Sequence, residues 1–160
     1  MKIYSPQFIR LLREDRPEAV AWIMGNASHP KLGGIIRFYA APIGGIVVNA
    51  EVFGLPDTQQ SPSHFYAMHI HEVGDCTLPF DRTGSHYNPT AALHPAHAGD
   101  MPPLLGYNGY AWMSFYDARL TIGEILGKSI IIHGGRDDFT SQPAGDSGDK
   151  IGCGVIEASD

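Results

Sequence analysis

The sequence predicts an all-β fold, an antiparallel sandwich or barrel with two long loops. The first observation is the composition, because 19 glycines and 12 prolines among 160 residues favour many turns between short strands. The second is a succession of β-rich segments bounded by Gly and Pro, which amount to roughly seven or eight strands. The third is a pair of stretches, 74–108 and 134–152, with few strand-like runs. A chain of this length forms about one domain.

A short helix is predicted over residues 5–14, ahead of the first strand. Ser5 and Pro6 are typical of an N-cap followed by proline at the first helical position. Apolar residues follow at helical spacing: Phe8, Ile9, Leu11 and Leu12. We expect residues 1–17 to form an N-terminal extension and residues 18–160 to form the main domain. The apolar face predicts packing on the helix's own domain, with an open sheet edge or a subunit contact as alternatives.

Consecutive antiparallel strands are predicted for three β-rich segments: EAVAWIMG, GGIIRFYAAP and GIVVNAEVFGLP. A fourth strand is predicted for HFYAMHIHE, and the others for AWMSFYDARLT, SIIIHG and GCGVIEA. The stretch 74–108 is longer than the usual loop of a compact domain, which indicates either a wrong assignment or a function. Metal ligands could fasten such a loop in place of secondary structure.

Charge and hydropathy argue against several classes of partner. The net charge is -6 with neutral histidines, and the acids are spread out, so we expect no nucleic-acid partner. No run of about 18 apolar residues could span a bilayer, so we expect no membrane partner. The N-terminus lacks the apolar core of a secretory signal. This predicts a cytoplasmic protein as written, or a periplasmic or extracellular one if the chain is a trimmed mature form.

The histidines are concentrated at the two long loops. Six of the eight lie in the strand before the first loop, in that loop, or at the start of the second: His69, His71, His86, His94, His97 and His133. Two others, His29 and His64, have no partner at ligand spacing and are predicted to be ordinary surface or strand-edge residues. Motifs of other chemistries, namely GxSxG, a P-loop, CxxC and an EF-hand, are not found in the sequence.

Metal binding is the interpretation that the histidine spacing favours. Alternate residues of a strand face the same side, so His69 and His71 could hold one ion between them, although such a pair is more often satisfied by hydrogen bonds. Glu72 is expected to point away if the strand continues. The segment HYNPTAALHPAHAGD offers three imidazoles and a carboxylate, a set that suits tetrahedral Zn²⁺: His86, His94, His97 and Asp100. The alternative for this segment is a merely hydrophilic loop.

Two other features remain open from the residues alone. His133 ends the apolar run SIIIH, where a strand could deliver a ligand to the loop end of a sandwich, but a structural histidine is an alternative. Cys76 and Cys153 are the only cysteines. They could be buried thiols or could form one long-range disulfide.

Five short segments carry a resemblance to a known family: HIHE, GSHYNP, HAGDMPPL, IIIHGGRDD and CGVI. In this order and at this spacing, residues 18–158 resemble the copper-zinc superoxide dismutase family, especially its bacterial branch. The resemblance implies an eight-stranded Greek-key sandwich of the immunoglobulin-like type. It also implies copper and zinc as cofactors, superoxide as the substrate, and a possible homodimer.

Carried over residue by residue, the resemblance implies two metal sites. The copper ligands would be His69, His71, His86 and His133. The zinc ligands would be His86, His94, His97 and Asp100, with His86 as an imidazolate that bridges both ions. Asp137 would join copper and zinc ligands through hydrogen bonds. Cys76 and Cys153 would form the family's intrasubunit disulfide.

The implied activity is the antioxidant dismutation of superoxide, in which copper alternates between Cu²⁺ and Cu⁺ and His86 acts as both ligand and acid. Lys150 stands where the family has an arginine that receives the anion. Lysine keeps the charge but lacks the planar fork of arginine, which predicts a slower enzyme. Tyr66 and Met68 replace the usual histidine and phenylalanine before the HxH motif, which affects local packing. The alternative function is a copper- and zinc-binding module that stores or delivers metal with weak or no dismutation.

Overall fold

Antiparallel strands build most of the computed structural model, which describes residues 3–56 and 63–159. The described residues form nine strands, two helices and a 3₁₀ turn, Asp81–Thr83. The strands are β1 Ala19–Gly25, β2 Gly33–Ala40, β3 Ile46–Phe53, β4 Phe65–Tyr66, β5 Met68–His71, β6 Leu104–Leu105, β7 Tyr110–Asp117, β8 Ser129–His133 and β9 Lys150–Ala158. The helices are α1 Ser5–Glu14 and α2 Ile122–Ile125.

One seven-stranded sheet in the order β5-β8-β9-β1-β2-β3-β7 curls around the core, and β4 pairs with β6 in a separate two-stranded sheet. Strands β1, β2 and β3 form the predicted meander. The chain then crosses from β3 to β5 at the opposite edge, returns to β7 beside β3, and crosses again to β8. These long connections are typical of a Greek key, and the predicted all-β fold is confirmed.

The predicted fourth strand is interrupted at Ala67. The backbone of Tyr66 pairs with Leu104 in the small sheet, whereas the N–H of Ala67 donates to Gly135 O at 2.8 Å and its carbonyl accepts from His133 N at 2.9 Å. The run HFYAMHIHE therefore divides between two sheets, because its two halves find different backbone partners.

The apolar core lies on the concave side of the large sheet, where β-branched residues from alternate positions meet. Ile36, Val48, Ile130 and Ile132 are fully buried there. Ile70 of β5 is also fully buried in this core. Because side chains alternate across a strand, the neighbours of Ile70 face the other side of β5, which the long loops cover.

Helix α1 covers part of the outer face of the sheet. Leu11 packs against Tyr39, Ala41 and Val47, and the ring of Phe8 stacks on that of Tyr116 with centroids 5.2 Å apart. The helix packs on its own domain, as expected. The predicted N-cap is wrong by one residue, since Tyr4 holds that position and its carbonyl accepts from Gln7 N and Phe8 N.

The second helix, α2, was not predicted, although the sequence contains its start signal. Thr121 and Glu124 form a capping box, in which Glu124 Oε2 accepts from Thr121 N at 2.9 Å and Thr121 Oγ1 at 2.6 Å. A Thr-x-x-Glu sequence before an apolar residue is the usual signature. Among the residues described, no helix has the length and apolarity needed to cross a bilayer.

Replacing Leu11 with alanine tests whether α1 belongs to the folded unit. Leu11→Ala should lower the free energy of unfolding by about 2 kcal/mol, since it removes buried methyl groups and leaves a cavity. Ile9→Ala is the matched control on the same helix, because Ile9 is 55% exposed, and it should change stability by less than about 0.5 kcal/mol. Urea unfolding followed by tryptophan fluorescence measures both. Equal effects of the two changes would contradict the packing.

Candidate metal centre

Two groups of potential metal ligands lie side by side and share one histidine. Within each group the ligand atoms lie within 4.8 Å of one another, and every member is buried. The four-histidine group consists of His69, His71, His86 and His133. The His₃Asp group consists of His86, His94, His97 and Asp100. The structure thus brings together every residue that the sequence predicted as a ligand.

Backbone pairing along β5 brings the loop histidines to the strand histidines. Strand β5 is at the edge of the large sheet, so its outer backbone groups are available to another segment. Ile70 N donates to Gly99 O at 2.9 Å, and Ile70 O accepts from Tyr87 N at 2.8 Å. His71 is thereby placed opposite His86, and His69 opposite Asp100. The edge strand therefore organises both groups of ligands.

Hydrogen bonds on the outer side of each ring fix which nitrogen carries the proton. His71 Nδ1 lies 2.8 Å from Gly84 O, and His133 Nδ1 lies 3.0 Å from Gly148 O. Because a carbonyl only accepts, these nitrogens are the donors, and the lone pair of each ring is on Nε2. His69 is turned the other way, since its Nε2 meets Asp137 Oδ2 at 2.8 Å, and its lone pair is on Nδ1.

The inward-facing ring nitrogens fit a pair of metal ions. Several of them are buried without a hydrogen-bond partner among the described residues: His69 Nδ1, His71 Nε2, His86 Nε2, His133 Nε2, His94 Nδ1 and His97 Nδ1. Buried polar atoms normally have partners, and these converge within coordinating distance. Four imidazoles suit copper, whereas three imidazoles and a carboxylate suit zinc.

Burial keeps three histidines of the four-histidine group neutral: His69, His71 and His133. It lowers the pKa of His71 to about 2, against the opposing hydrogen bond to Gly84, and the pKa of His133 to about 3, with the neighbouring His69 adding to the effect. Burial also lowers the pKa of His69. Near pH 7 these imidazoles are therefore uncharged, the form in which histidine binds a metal ion.

Asp137 connects the two groups. Its Oδ2 accepts from His69 Nε2, and its Oδ1 accepts from His94 Nε2, both at 2.8 Å. Burial opposes ionisation, but the hydrogen bonds from His69, Phe139 N and His94 outweigh it and lower the pKa of Asp137 to about 2. Gly145 lies against the carboxylate of Asp137 and has a φ of +72°, and a side chain at this position would collide with that carboxylate. The carboxylate thus orients one ring of each group.

Asp100 and Arg119 hold the His₃Asp group together. Asp100 Oδ1 lies 2.7 Å from His86 Nδ1, and its Oδ2 lies 3.1 Å from His94 Nδ1 and 3.3 Å from His97 Nδ1. Arg119 donates to the carbonyl oxygens of His97 and Asp100 at 2.8 and 2.6 Å. Its guanidinium also pairs with the buried Asp117 at 2.7 Å. Sequence analysis missed Arg119, because its partners in the loop are backbone atoms.

A disulfide between Cys76 and Cys153 ties the start of the first long loop to β9. The two Cα atoms are 5.6 Å apart, and the two cysteines are separated by 77 positions in sequence. In the chain-entropy model, closing a loop of this size stabilises the fold by about 4.5 kcal/mol. Phe80 follows in the loop and packs, fully buried, against Ile131 and Cys153. The loop is therefore held by the disulfide and by Phe80, in addition to the backbone hydrogen bonds that its ligand segments make with β5.

A cavity of about 480 Å³ adjoins the four-histidine group, and its lining includes His71, His86, His133 and Lys150. Lys150 lies opposite His133 in the pairing of β8 and β9, where the register shifts. Burial lowers the pKa of Lys150, although Asp81 opposes this. Glu72 also lines the cavity; the expectation that it points away applied only if the strand continued. Strand β5 ends at His71, and the alternation stops there.

The remaining histidines lie outside both groups. His29 Nδ1 contacts Asn26 Oδ1 at 3.0 Å, and the ring of His64 lies 5.6 Å from that of Tyr107. Tyr66 and Met68, the two departures from the family pattern, are both buried in the main core. These two residues, which differ from the family pattern, therefore belong to the packing of the core and are not ligands.

Comparison with known proteins agrees with this geometry. Residues 32–156 match the family model described as copper/zinc superoxide dismutase (SODC). The chain belongs to the copper/zinc superoxide dismutase family. The four-histidine group is accordingly the copper site, and the His₃Asp group is the zinc site.

Relatives of this family come from both bacteria and eukaryotes. A copper-zinc superoxide dismutase of Deinococcus radiodurans is 33% identical over 150 residues, covering 80% of this chain and 79% of the relative. One of Saccharomyces cerevisiae is 32% identical over 156 residues, covering 87% and 96%. The extracellular superoxide dismutase of Rattus norvegicus is 29% identical over 140 residues, and this match covers 81% of the present chain but 57% of that relative. The chain thus spans little more than half the length of this extracellular relative.

Removing the guanidinium of Arg119 should weaken zinc binding. Arg119→Met removes the donors to His97 O and Asp100 O, and changes to the groups that orient metal ligands typically cost about 10- to 100-fold in metal affinity. Competition with a chromophoric zinc chelator measures the affinity in protein that carries copper. Arg82→Met is the matched control, because the side chain of Arg82 is 75% exposed and 3.8 Å from its nearest carboxylate. The same loss in both variants would contradict the role of Arg119.

Proposed function

We propose that this chain catalyses the dismutation of superoxide, in which two superoxide anions and two protons give O₂ and H₂O₂. One observation carries the proposal: the cavity beside the copper site is lined by the shared ligand His86 and by the cation Lys150. A small anion that enters this cavity meets a positive charge and the copper ligands together. The names of the relatives above point to the same activity.

Copper bound to the four histidines would supply one-electron redox chemistry, while zinc, which has no redox chemistry, would supply structure. The protein's part is to hold the ligands in fixed tautomers. His71 and His133 keep their protons on Nδ1 through the carbonyls of Gly84 and Gly148. His86 differs, since its Nδ1 meets Asp100 and its Nε2 is buried without a hydrogen-bond partner among the described residues. We assign His86 the proton exchange, with Nε2 holding a proton in one half of the cycle and releasing it to peroxide in the other.

Lys150 is the residue to which we assign anion guidance. The net charge of -6 repels an anionic substrate, so a local positive charge at the cavity has a large effect on the association rate. An ammonium is a point charge, whereas the guanidinium of the family's arginine is a planar fork with five donors. The proposed enzyme is therefore slower than one with arginine at this position.

Several finer assignments are also proposals. The assignment to the bacterial branch of the family is supported by the motifs in the sequence. Relatives of similar identity, 33% and 32%, come from a bacterium and from a eukaryote. The division into residues 1–17 and 18–160 is supported by the family match, which lies inside the second segment. A homodimer is supported by two exposed tryptophans on the outer sheet face, Trp22 and Trp112.

Localisation and the excluded partners also stay predictions. Cytoplasmic localisation is predicted for the chain as written, and periplasmic or extracellular localisation for a trimmed mature form. The Cys76–Cys153 disulfide favours the second, because disulfides persist in oxidising compartments. The absence of nucleic-acid and membrane partners is an expectation from charge and hydropathy alone.

The direct test is superoxide consumption by protein with one copper and one zinc per chain, confirmed by elemental analysis. Pulse radiolysis should give a rate far above that of copper-free, zinc-loaded protein, and the rate should fall as ionic strength rises, because salt screens the attraction to Lys150. A fully metallated chain with no excess rate would contradict the proposal. It would favour the alternative function, a module that stores or delivers metal.

Substitutions of Lys150 test the guiding charge. Lys150→Met should lower the second-order rate constant about tenfold or more, and Lys150→Arg should raise it above wild type. Lys31→Met is the matched control, since Lys31 is exposed and outside the cavity, and it should have little effect. Pulse radiolysis at low ionic strength measures all three. A rate in Lys150→Met equal to that of the control would refute the assignment.

A further inference from the structure

The ammonium of Lys150 is held by a turn of the first long loop. Its Nζ donates to Thr83 Oγ1 at 2.8 Å and to Phe80 O at 3.3 Å. Thr83 Oγ1 itself donates to Phe80 O at 3.0 Å. Because its proton is committed to that carbonyl, the hydroxyl presents a lone pair to the ammonium. Thr83 is fully buried, so this acceptor is fixed in position.

The same turn also orients a copper ligand. Gly84 O accepts from His71 Nδ1 at 2.8 Å, and Thr83 Oγ1 lies 3.5 Å from that nitrogen. The turn is anchored by Phe80, which is fully buried against Ile131 and Cys153. Phe80 holds a left-handed φ of 78°, a conformation that persists in a bulky residue when its surroundings fix it. Residues 80–84 therefore set the place of Lys150 relative to His71.

Lysine needs such a support more than arginine does. Its four-carbon stem rotates freely and its ammonium has no preferred plane, so its position depends on its partners. An ammonium has three N–H donors. With two directed to Thr83 and Phe80, the third is available to an anion in the cavity that Lys150 lines.

We propose that Thr83 is a positioning residue for anion binding, acting through its hydroxyl on the ammonium of Lys150. The inference rests on the proposed function in that the anion would be superoxide. It predicts that Thr83 and Lys150 are energetically coupled, so that the hydroxyl matters only while the ammonium is present.

The test is a double-mutant cycle on protein loaded with copper and zinc. Thr83→Val keeps the shape of the side chain and removes the hydroxyl, while Thr83→Ser keeps the hydroxyl and loses the methyl group. The probe is azide, a small anion whose binding to copper(II) is followed in the visible spectrum. The second readout is the rate constant for superoxide. Both are measured in the wild-type and Lys150→Met backgrounds.

Thr83→Val should weaken azide binding and lower the superoxide rate, each about three- to tenfold, the loss expected for one typical intramolecular hydrogen bond. Thr83→Ser should stay within about twofold of wild type on the same grounds. In the Lys150→Met background, Thr83→Val should change neither quantity. An equal loss in both backgrounds would mean that Thr83 acts only on packing or on His71, and an unchanged affinity in Thr83→Val would also overturn the inference.

Metal content is measured first for every variant. If Thr83→Val binds less than one copper per chain, the comparison of Thr83→Ala with Thr83→Ser replaces it. The azide readout separates this inference from the proposed function. Coupling in azide binding without dismutation would support the role of Thr83 and contradict the proposed activity. Dismutation without coupling would support the activity and overturn the role of Thr83.

Discussion

The burial of six imidazoles, one of which belongs to both groups of ligands, is the constraint on which the rest of the structure depends. Each ring has one buried nitrogen without a hydrogen-bond partner among the described residues, and for His71 and His133 burial makes protonation costly and lowers the pKa. Ring orientation then follows from the outward nitrogen, which needs a fixed hydrogen-bond partner. Asp137 and the carbonyls of Gly84 and Gly148 supply such partners. The conformation of the loops therefore determines the orientation of the ligand rings.

The long loops have little secondary structure of their own because other interactions hold them. The first loop pairs with the edge strand β5, is bound to β9 by the disulfide at Cys76, and is held at its zinc end by Arg119. The second loop supplies Asp137, which contacts a ligand of each metal. Metal binding, loop order and the shape of the cavity are therefore coupled. A change far from the metals, such as one at Arg119, acts on the site through the backbone.

Sequence reasoning succeeded where the signal is local or repeated. Alternation on a strand correctly paired His69 with His71, and the clustered histidines of the first loop identified the zinc ligands. It failed where the partner is distant in sequence or where the contact depends on the residue at which an element ends. Arg119 contacts two carbonyls, and Thr83 contacts a lysine 67 positions away, so neither has a motif. Glu72 lines the cavity and β5 stops one residue before it, so strand alternation does not predict the direction of its side chain.

The most direct test of the account is the position of each metal relative to His86. Crystals of the chain loaded with copper and zinc, with anomalous scattering recorded at both absorption edges, would locate the two ions separately. The account predicts copper among His69, His71, His86 and His133, zinc among His86, His94, His97 and Asp100, and the His86 ring between them. A single ion at the centre of the cluster, or a His86 ring that contacts one metal alone, would contradict it.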